Sequence, residues 1–368
     1  MTQAISRRTI MAGAAALLSA SSTLVRAQDV LGGNVLTGAG STFAFPVMSH
    51  WAHSYRRYIA GGGDYPIAGA GLDDAPTAQA INYEPVGSMA GILRAKEAAV
   101  DFGASDMPLS STELGKLGLA QFPIVIGGVA VVVNVAGVGP GQIRLNGPVL
   151  SGIFLGKIPT WSDDAIKALN PGLTLPDAKI TIVTRADGSG TTFNFTDYLS
   201  KVSRQFHDTV GSDLYVRWPG SITARGNEGV ANLVRATPNA IGYVELAQAL
   251  RSNLSYALIE NGAKKFIKPE PAAFQAAASS ADWTNGSDFG LVLSDAPGDA
   301  SYPITATVFV LMNKGLSQGR ARATLNFFRW SLDKGGPNAS QLGYVPLPDS
   351  LVKQVKSYWT EHFKGAAS

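Results

Sequence analysis

Two long, mostly apolar, strand-like runs, residues 124–135 (IVIGGVAVVVNV) and 304–312 (ITATVFVLM), constrain the fold of this chain more than any other feature. Each reads as a long strand, and they begin about 180 residues apart. Such a pair is expected to carry the chain from one lobe into a second and back, with the two runs as the hinge. The first lobe is then discontinuous, residues 28–132 plus 310–368, and the second is 133–309. A length of 368 residues accommodates two cores, because a single core stops growing well before a chain is this long.

Around these runs, short apolar strands alternate with helical segments. Residues 99–103, 123–135 and 179–184 read as strands and 46–59 as a helix, which is α/β patterning. Within that helix Met48, Trp51, Tyr55 and Tyr58 fall at spacings of three, four and three, so they share one face, as core residues do. Residues 61–80, rich in Gly, Ala, Asp and Pro, read as a long loop between this helix and a strand at 81–86. A helix-to-strand connection lies at the sheet edge opposite the strand C-termini, where ligands bind, so this loop is expected to be remote from any site. No internal repeat is evident.

Composition narrows the class. Apolar residues make up 45% and charged residues 15%, with 41 Gly and 20 Pro, which describes a loop-rich globular protein. The absence of cysteine excludes disulfides, thiolate metal sites and thiol nucleophiles. Ser6-Arg7-Arg8-Thr9-Ile10 is a basic twin-arginine region, residues 11–25 are uncharged and mostly apolar, and Val25-Arg26-Ala27 offers small residues at cleavage spacing. The run is short of the roughly twenty apolar residues of a membrane span. Residues 1–27 are therefore expected to be an export signal cleaved after Ala27, which places the mature chain in the periplasm. The twin-arginine route is expected, although twin arginines also occur by chance in general secretory signals.

Removing residues 1–27 removes Arg7, Arg8, Arg26 and no acid, so 30 basic and 27 acidic residues become 27 and 27. A nucleic-acid partner is excluded, since it requires a surplus of phosphate-neutralising cations. Any anion bound by the mature chain must be held by local groups.

Three segments supply such groups. Gly38-Ala39-Gly40-Ser41-Thr42-Phe43, Gly87-Ser88-Met89-Ala90-Gly91 and Asp187-Gly188-Ser189-Gly190-Thr191-Thr192 each run from glycine and hydroxyl residues into a helix. Glycine lets the backbone approach an oxyanion, first-turn N–H groups have no internal partner, and the helix dipole favours negative charge there. One such cluster alone is also the ordinary chemistry of turns and N-caps. None is a nucleotide loop: no Gly-Lys-Ser/Thr closes them, and Gly38-x-Gly40 lacks the third glycine of a dinucleotide fingerprint. Arg185 stands at a strand end three residues before Gly188, where a guanidinium makes charge-assisted hydrogen bonds to an oxyanion and Asp187 orients it. Asp106 closes the run Asp101-Phe102-Gly103-Ala104-Ser105-Asp106. A carboxylate beside a dianion is repulsive unless a proton lies between them. Phosphate at neutral pH has such a proton and sulfate has none, so Asp106 becomes a selectivity device.

The segments Thr37-Gly38-Ala39-Gly40-Ser41-Thr42-Phe43, Val100-Asp101-Phe102-Gly103-Ala104-Ser105-Asp106, Gln121-Phe122-Pro123, Arg185-Ala186-Asp187-Gly188-Ser189-Gly190-Thr191, Gly226-Asn227-Glu228-Gly229 and Ala240-Ile241-Gly242-Tyr243-Val244-Glu245 resemble, in order, the phosphate-binding protein of the phosphate-specific ABC transporter. The resemblance covers essentially the whole mature chain except the 61–80 insertion. It implies a type II periplasmic-binding-protein fold: two α/β lobes joined by two hinge strands, with the ligand cleft between them. It further implies that Thr42 and Phe43 donate to phosphate from the first helix start, Ser88 from the second, and Ser189, Gly190 and Thr191 from the third. Arg185 is then the charged donor, Asp106 the acceptor of the phosphate proton, and Asp187 the residue that holds Arg185. The partners implied are inorganic phosphate and the membrane permease of the transporter, with a monomer expected and no metal or cofactor. Two departures stand out: Met89-Ala90-Gly91 after Ser88, where a second Ser and Gly-Gly are usual, so that position 89 contributes backbone, and Ala44-Phe45-Pro46 after Phe43.

Two rivals can be weighed on the residues. A hydrolase lacks its groups: none of His50, His53, His207 and His362 lies in the three segments, and His50 and His53, one helical turn apart, have no nearby third ligand in the sequence. Ser189 lies outside a Gly-x-Ser-x-Gly elbow. A binding protein for sulfate or molybdate would meet an uncompensated carboxylate at Asp106, whereas arsenate, protonated like phosphate, would not.

Overall fold

A computed structural model describes residues 35–61, 80–283 and 287–367 of the chain. The expected export signal, residues 1–27, lies outside the described residues, as does most of the 61–80 insertion.

Eight strands form the frame: β1 (Val35–Gly40), β2 (Ala80–Glu84), β3 (Phe102–Ser105), β4 (Leu119–Asn134), β5 (Thr181–Arg185), β6 (Ile222–Ala224), β7 (Ala240–Glu245) and β8 (Thr305–Asn313). Their order across the sheet is β2-β1-β3-β8-β4-β7-β5-β6. β1 runs parallel to β2 and β3, and β5 runs parallel to β6 and β7. β8 is antiparallel to β3 and to β4.

The first apolar run is the strand that ties the sheet together. β4 pairs with β8 from Leu119 to Gly128 and with β7 from Val129 to Asn134. Every residue of β4 except Asn134 is buried, which is why its sequence, Gln121 apart, is apolar up to that residue rather than alternating. At the change of partner Val129 N–H donates to the Ile304 carbonyl (2.8 Å), just ahead of β8. The second apolar run, from Thr305 onward, lies against β3 and the first part of β4, while Ile304 bridges to Ser294.

Each half of the sheet has an aromatic core. In the first, Phe102 meets Phe328 edge-on (centroids 4.9 Å apart) and Phe122 packs on Phe328 and Trp359. In the second, Phe195 stacks on Tyr243 (4.4 Å) and meets Phe154 edge-on. Helix α1 (Phe45–Ala60) presents Met48, Trp51 and Tyr55 to the first core, with Tyr58 half-buried at its end. Ala80 opens β2 level with the start of β1, so the described ends of the 61–80 insertion lie at the edge away from the C-termini of the parallel strands.

The strand expected at 99–103 begins later, at Phe102. Ala98 adopts a left-handed backbone (φ 48°), and the N–H groups of Ala98 and Ala99 turn back onto the preceding helix at Ala95 and Arg94. Asp101 then serves as an anchor. Its fully buried carboxylate accepts from Thr37 N–H (2.7 Å) and Thr37 hydroxyl (3.0 Å) and takes both Nε (2.7 Å) and Nη2 of Arg320. Replacement of Asp101 by Asn turns an amide N–H₂ toward these donors and should cost about 3 kcal/mol of unfolding free energy, near the lower bound for breaking a buried pair because Arg320 is partly exposed. A urea titration checks this, and a loss under about 1 kcal/mol would show the cluster to be dispensable.

Candidate functional site

Three helix starts converge between the two halves of the sheet. Past the end of β1, Ser41 N–H donates to the Ala104 carbonyl of β3 (2.9 Å). The Ser41 hydroxyl then accepts from Phe43 N–H (3.0 Å) and Ala44 N–H (3.2 Å), in the turn that leads into helix α1, and donates to Asp106 Oδ1 (2.5 Å). Helix α2 (Ser88–Lys96) starts after Gly87, whose φ of 94° excludes most other residues and where a Cβ would stand 2.6 Å from Asp187 Oδ2. Helix α3 (Gly190–Val202) is capped by Ser189, whose hydroxyl accepts from Thr192 N–H (3.1 Å).

Hydrogen bonds knit the two halves across this point. The Ser88 hydroxyl oxygen accepts from Gly190 N–H (3.1 Å) and Asp106 N–H (3.3 Å). Met89 N–H donates to the Gly188 carbonyl (3.1 Å), so position 89 contributes its backbone while its side chain is exposed. A Cβ on Gly190 would lie 2.6 Å from both Asp106 Oδ2 and Ser88 Oγ, an approach that only glycine permits. Thr42, Phe43, Ser88, Asp106, Arg185, Asp187, Ser189, Gly190 and Thr191 thus all lie at one place, and all are buried except Thr42 and Asp187, which are partly exposed.

The charges are arranged in two layers. Arg185, the last residue of β5, has a side chain only 1% exposed, and it grips Asp187 through Nε (2.8 Å) and Nη2. Nη1 reaches the Thr191 hydroxyl (3.4 Å). Three of its five N–H donors are thereby engaged, and the other two have no hydrogen-bond partner among the described residues. Burial tends to raise the Asp187 carboxyl, but the Arg185 hydrogen bonds and charge, with Gly226 N–H at 3.0 Å, outweigh it and hold the pKa below its ordinary value. Asp106 behaves oppositely. Burial pushes it up to about 7, even though the Ser41 hydrogen bond and the Arg185 charge pull it down.

Two contributors carry no role in the sequence reading, although both lie in the segments singled out there. Ser41 links Asp106 to the turn that precedes α1. Asn227, in helix α4 (Gly226–Ala236), donates from its backbone (3.2 Å) and its Nδ2 (3.0 Å) to the Thr42 hydroxyl, and from Nδ2 to Thr191 (3.2 Å). The signal available was two glycines flanking a polar pair at a helix start, Gly226-Asn227-Glu228-Gly229. Asn194 Nδ2 also crosses to the Asp106 carbonyl (2.7 Å), a contact set by helical geometry that no local motif reveals. His50 and His53 sit on α1, half-buried and exposed respectively, and no cluster of three metal-ligating side chains occurs among the described residues.

The fold matches known proteins. The model of the PBP superfamily domain matches residues 19–334, which puts the chain in the class of α/β periplasmic-binding proteins. The phosphate-binding protein PstS of Xylella fastidiosa strain 9a5c is 49% identical over 330 residues, 89% of this chain and 86% of that protein. PstS of Haemophilus influenzae is 40% identical over 332 residues, 90% and 94% of the two chains. The chain belongs to the PstS phosphate-binding protein family. Among solved structures, the phosphate-binding protein of Stenotrophomonas maltophilia superposes with a TM-score of 0.61 at 20% identity, covering 88% of this chain and 93% of that one, and supports the fold.

The raised Asp106 pKa has a definite sign in stability. The unfolded chain ionises this carboxyl near 4, whereas the folded chain keeps its proton to about 7. The stabilisation it confers is complete below about 4 and is lost as pH rises through about 7. In phosphate-free protein the melting temperature of wild type should therefore fall relative to Asp106→Asn between these limits. Parallel melting curves across that range would show that Asp106 titrates normally.

Proposed function

We propose that the chain binds inorganic phosphate between two lobes and delivers it to the membrane permease of a phosphate ABC transporter, acting as a monomer in the periplasm and doing no chemistry on its ligand. The observation that carries this reading is the convergence of three helix starts, one buried guanidinium and one buried carboxyl at a single point between the halves of the sheet. Helix starts and hydroxyls supply donors for a dehydrated oxyanion, Arg185 supplies the charge, and Asp106 supplies an acceptor for the ligand's proton. The names of the PstS relatives speak for the same ligand.

In this reading the lobes are residues 28–132 plus 310–368, and 133–309. The change of partner within β4 at Gly128 and Val129, and the start of β8 at Thr305, lie within a few residues of those limits and support a hinge there. The phosphate ligands are Thr42, Phe43, Ser88, Asp106, Arg185, Ser189, Gly190 and Thr191, with Asp187 fixing the guanidinium. On closure, oxygens of the ligand replace contacts these groups otherwise make with each other, such as Phe43 N–H to Ser41 and Gly190 N–H to Ser88. Residues 1–27 act as the cleaved export signal.

Calorimetry on protein stripped of ligand tests the reading directly: saturable heat with phosphate and none with sulfate is expected, and the reverse sinks it. Arg185→Ala should weaken phosphate binding by at least about 100-fold, because it removes the buried cation and strands Asp187. Thr42→Ala should cost less, since neutral hydrogen bonds are roughly half as strong as charged ones. Equal, small losses for the two would count against the assignment.

Asp106→Asn separates selectivity from affinity. The amide keeps the shape, still accepts the phosphate proton through its oxygen, and offers sulfate a neutral donor where wild type offers a negative acceptor. The sulfate-to-phosphate affinity ratio should rise in the mutant, and in wild type it should rise as pH falls below about 7, where Asp106 takes up its own proton. A ratio unchanged by both treatments would make Asp106 a structural residue.

A further inference from the structure

A cavity of about 900 Å³ opens between the halves of the sheet and reaches the site at Thr42 and Asp187. It is far too large to be the seat of one dehydrated tetrahedral anion, having room for about thirty waters at about 30 Å³ each. Its wall on the second half of the sheet carries Arg225, Arg235 and Arg251. Two carboxylates line it as well, but Asp187 is committed to Arg185, which leaves Glu228 alone against three guanidinium groups. Arg225 and Arg235 are exposed and have no carboxylate partner among the described residues; Arg235 touches only Asn232 Oδ1 (2.9 Å). Arg251 is half-exposed, with Glu245 3.7 Å away.

This local surplus matters because the chain beyond residue 27 has 27 cations and 27 anions, so no global field draws anions to it. Positive charges on the low-dielectric walls of a concavity raise the local anion concentration and the association rate. Exposed guanidinium groups retain their water and hold an ion weakly, which suits capture and release rather than retention.

We propose that the cavity is an anion-capture vestibule, in which Arg225, Arg235 and Arg251 gather a hydrated phosphate that then passes Thr42 into the dehydrated site. The inference rests on the phosphate-binding reading given above. The vestibule recognises charge alone, so other hydrated oxyanions enter it too, and discrimination is left to the inner site. Its signature is kinetic: the arginines set the rate of arrival and leave the rate of departure alone.

The test is stopped-flow association of stripped mature protein with inorganic phosphate, followed by tryptophan fluorescence at fixed pH over a range of NaCl. The variants are Arg225→Gln with Arg235→Gln, Arg251 being spared because of its contact with Glu245. At about 10 mM salt, where the Debye length is about 30 Å, the double variant should associate about ten-fold more slowly than wild type, and the two should converge near 1 M. Dissociation should stay within about two-fold. Arg225→Lys with Arg235→Lys should restore the rate, since charge rather than guanidinium geometry is at work. Arg217→Gln, which removes an exposed charge outside the cavity, should behave as wild type. Unchanged association and salt slope in the double variant, failure of the lysines to rescue, or an equal loss from Arg217→Gln would each overturn the vestibule. Absence of saturable phosphate binding by wild type in calorimetry would instead overturn the reading on which it stands.

Discussion

β4 is one unbroken strand that serves both halves of the molecule, and the geometry of the site follows from it. Because its partner changes from β8 to β7 between Gly128 and Val129, the two aromatic cores are built on opposite ends of the same backbone. Parallel strands in each half then run toward the line where the halves meet: β1 and β3 on one side, β5 on the other, each followed by a helix start or loop of the site. Helix N-termini from separate halves are thereby brought face to face without either half being distorted. The close approach depends on glycines, Gly190 against Asp106 and Gly87 against Asp187, where a side chain would hold the halves apart.

The electrostatics follow from the same geometry. A guanidinium only 1% exposed is tolerable because Asp187 satisfies it through two hydrogen bonds, and Asp187 is in turn held ionised by that contact and by Gly226 N–H. Among the described residues Asp106 has no such cation in direct contact; it has a serine hydroxyl and the more distant Arg185 charge, and burial therefore prevails. Two aspartates on one site are driven in opposite directions by their neighbours. In the proposed function that contrast separates the group that fixes the charge of the site from the group that senses a proton on the ligand.

Much of the frame was legible in the sequence. The run at 124–135 reads as a long strand and is one, the 3-4-3 spacing of Met48, Trp51, Tyr55 and Tyr58 marks the inner face of α1, and the three Gly-hydroxyl segments lie at helix starts. Strand limits were less legible: β3 starts three residues late because Ala98 takes a left-handed turn imposed by the end of the preceding helix, which composition does not encode. Asn227 and Asn194 were opaque for a related reason. An asparagine at a helix start or one turn into a helix looks like a cap or a surface residue until the opposite half supplies Thr42 or the Asp106 carbonyl as its partner.

The sequence by itself determined the α/β patterning and its long strands, the chemistry of the donors, and the neutral charge of the chain beyond residue 27, because each is a property of composition or of spacing within one segment. It placed Arg185 and Asp187 near each other as well, since they stand two residues apart at and just past the end of β5. Only the tertiary structure decided which segments face one another: Ser88 with Gly190, 102 residues apart, and Thr42 with Asn227, 185 apart. It also decided the titration of Asp106, which depends on how completely other segments exclude water from that carboxyl, and the gathering of Arg225, Arg235 and Arg251 around one cavity. Long-range contacts and desolvation are sums over the whole packed chain, and no single segment carries that information.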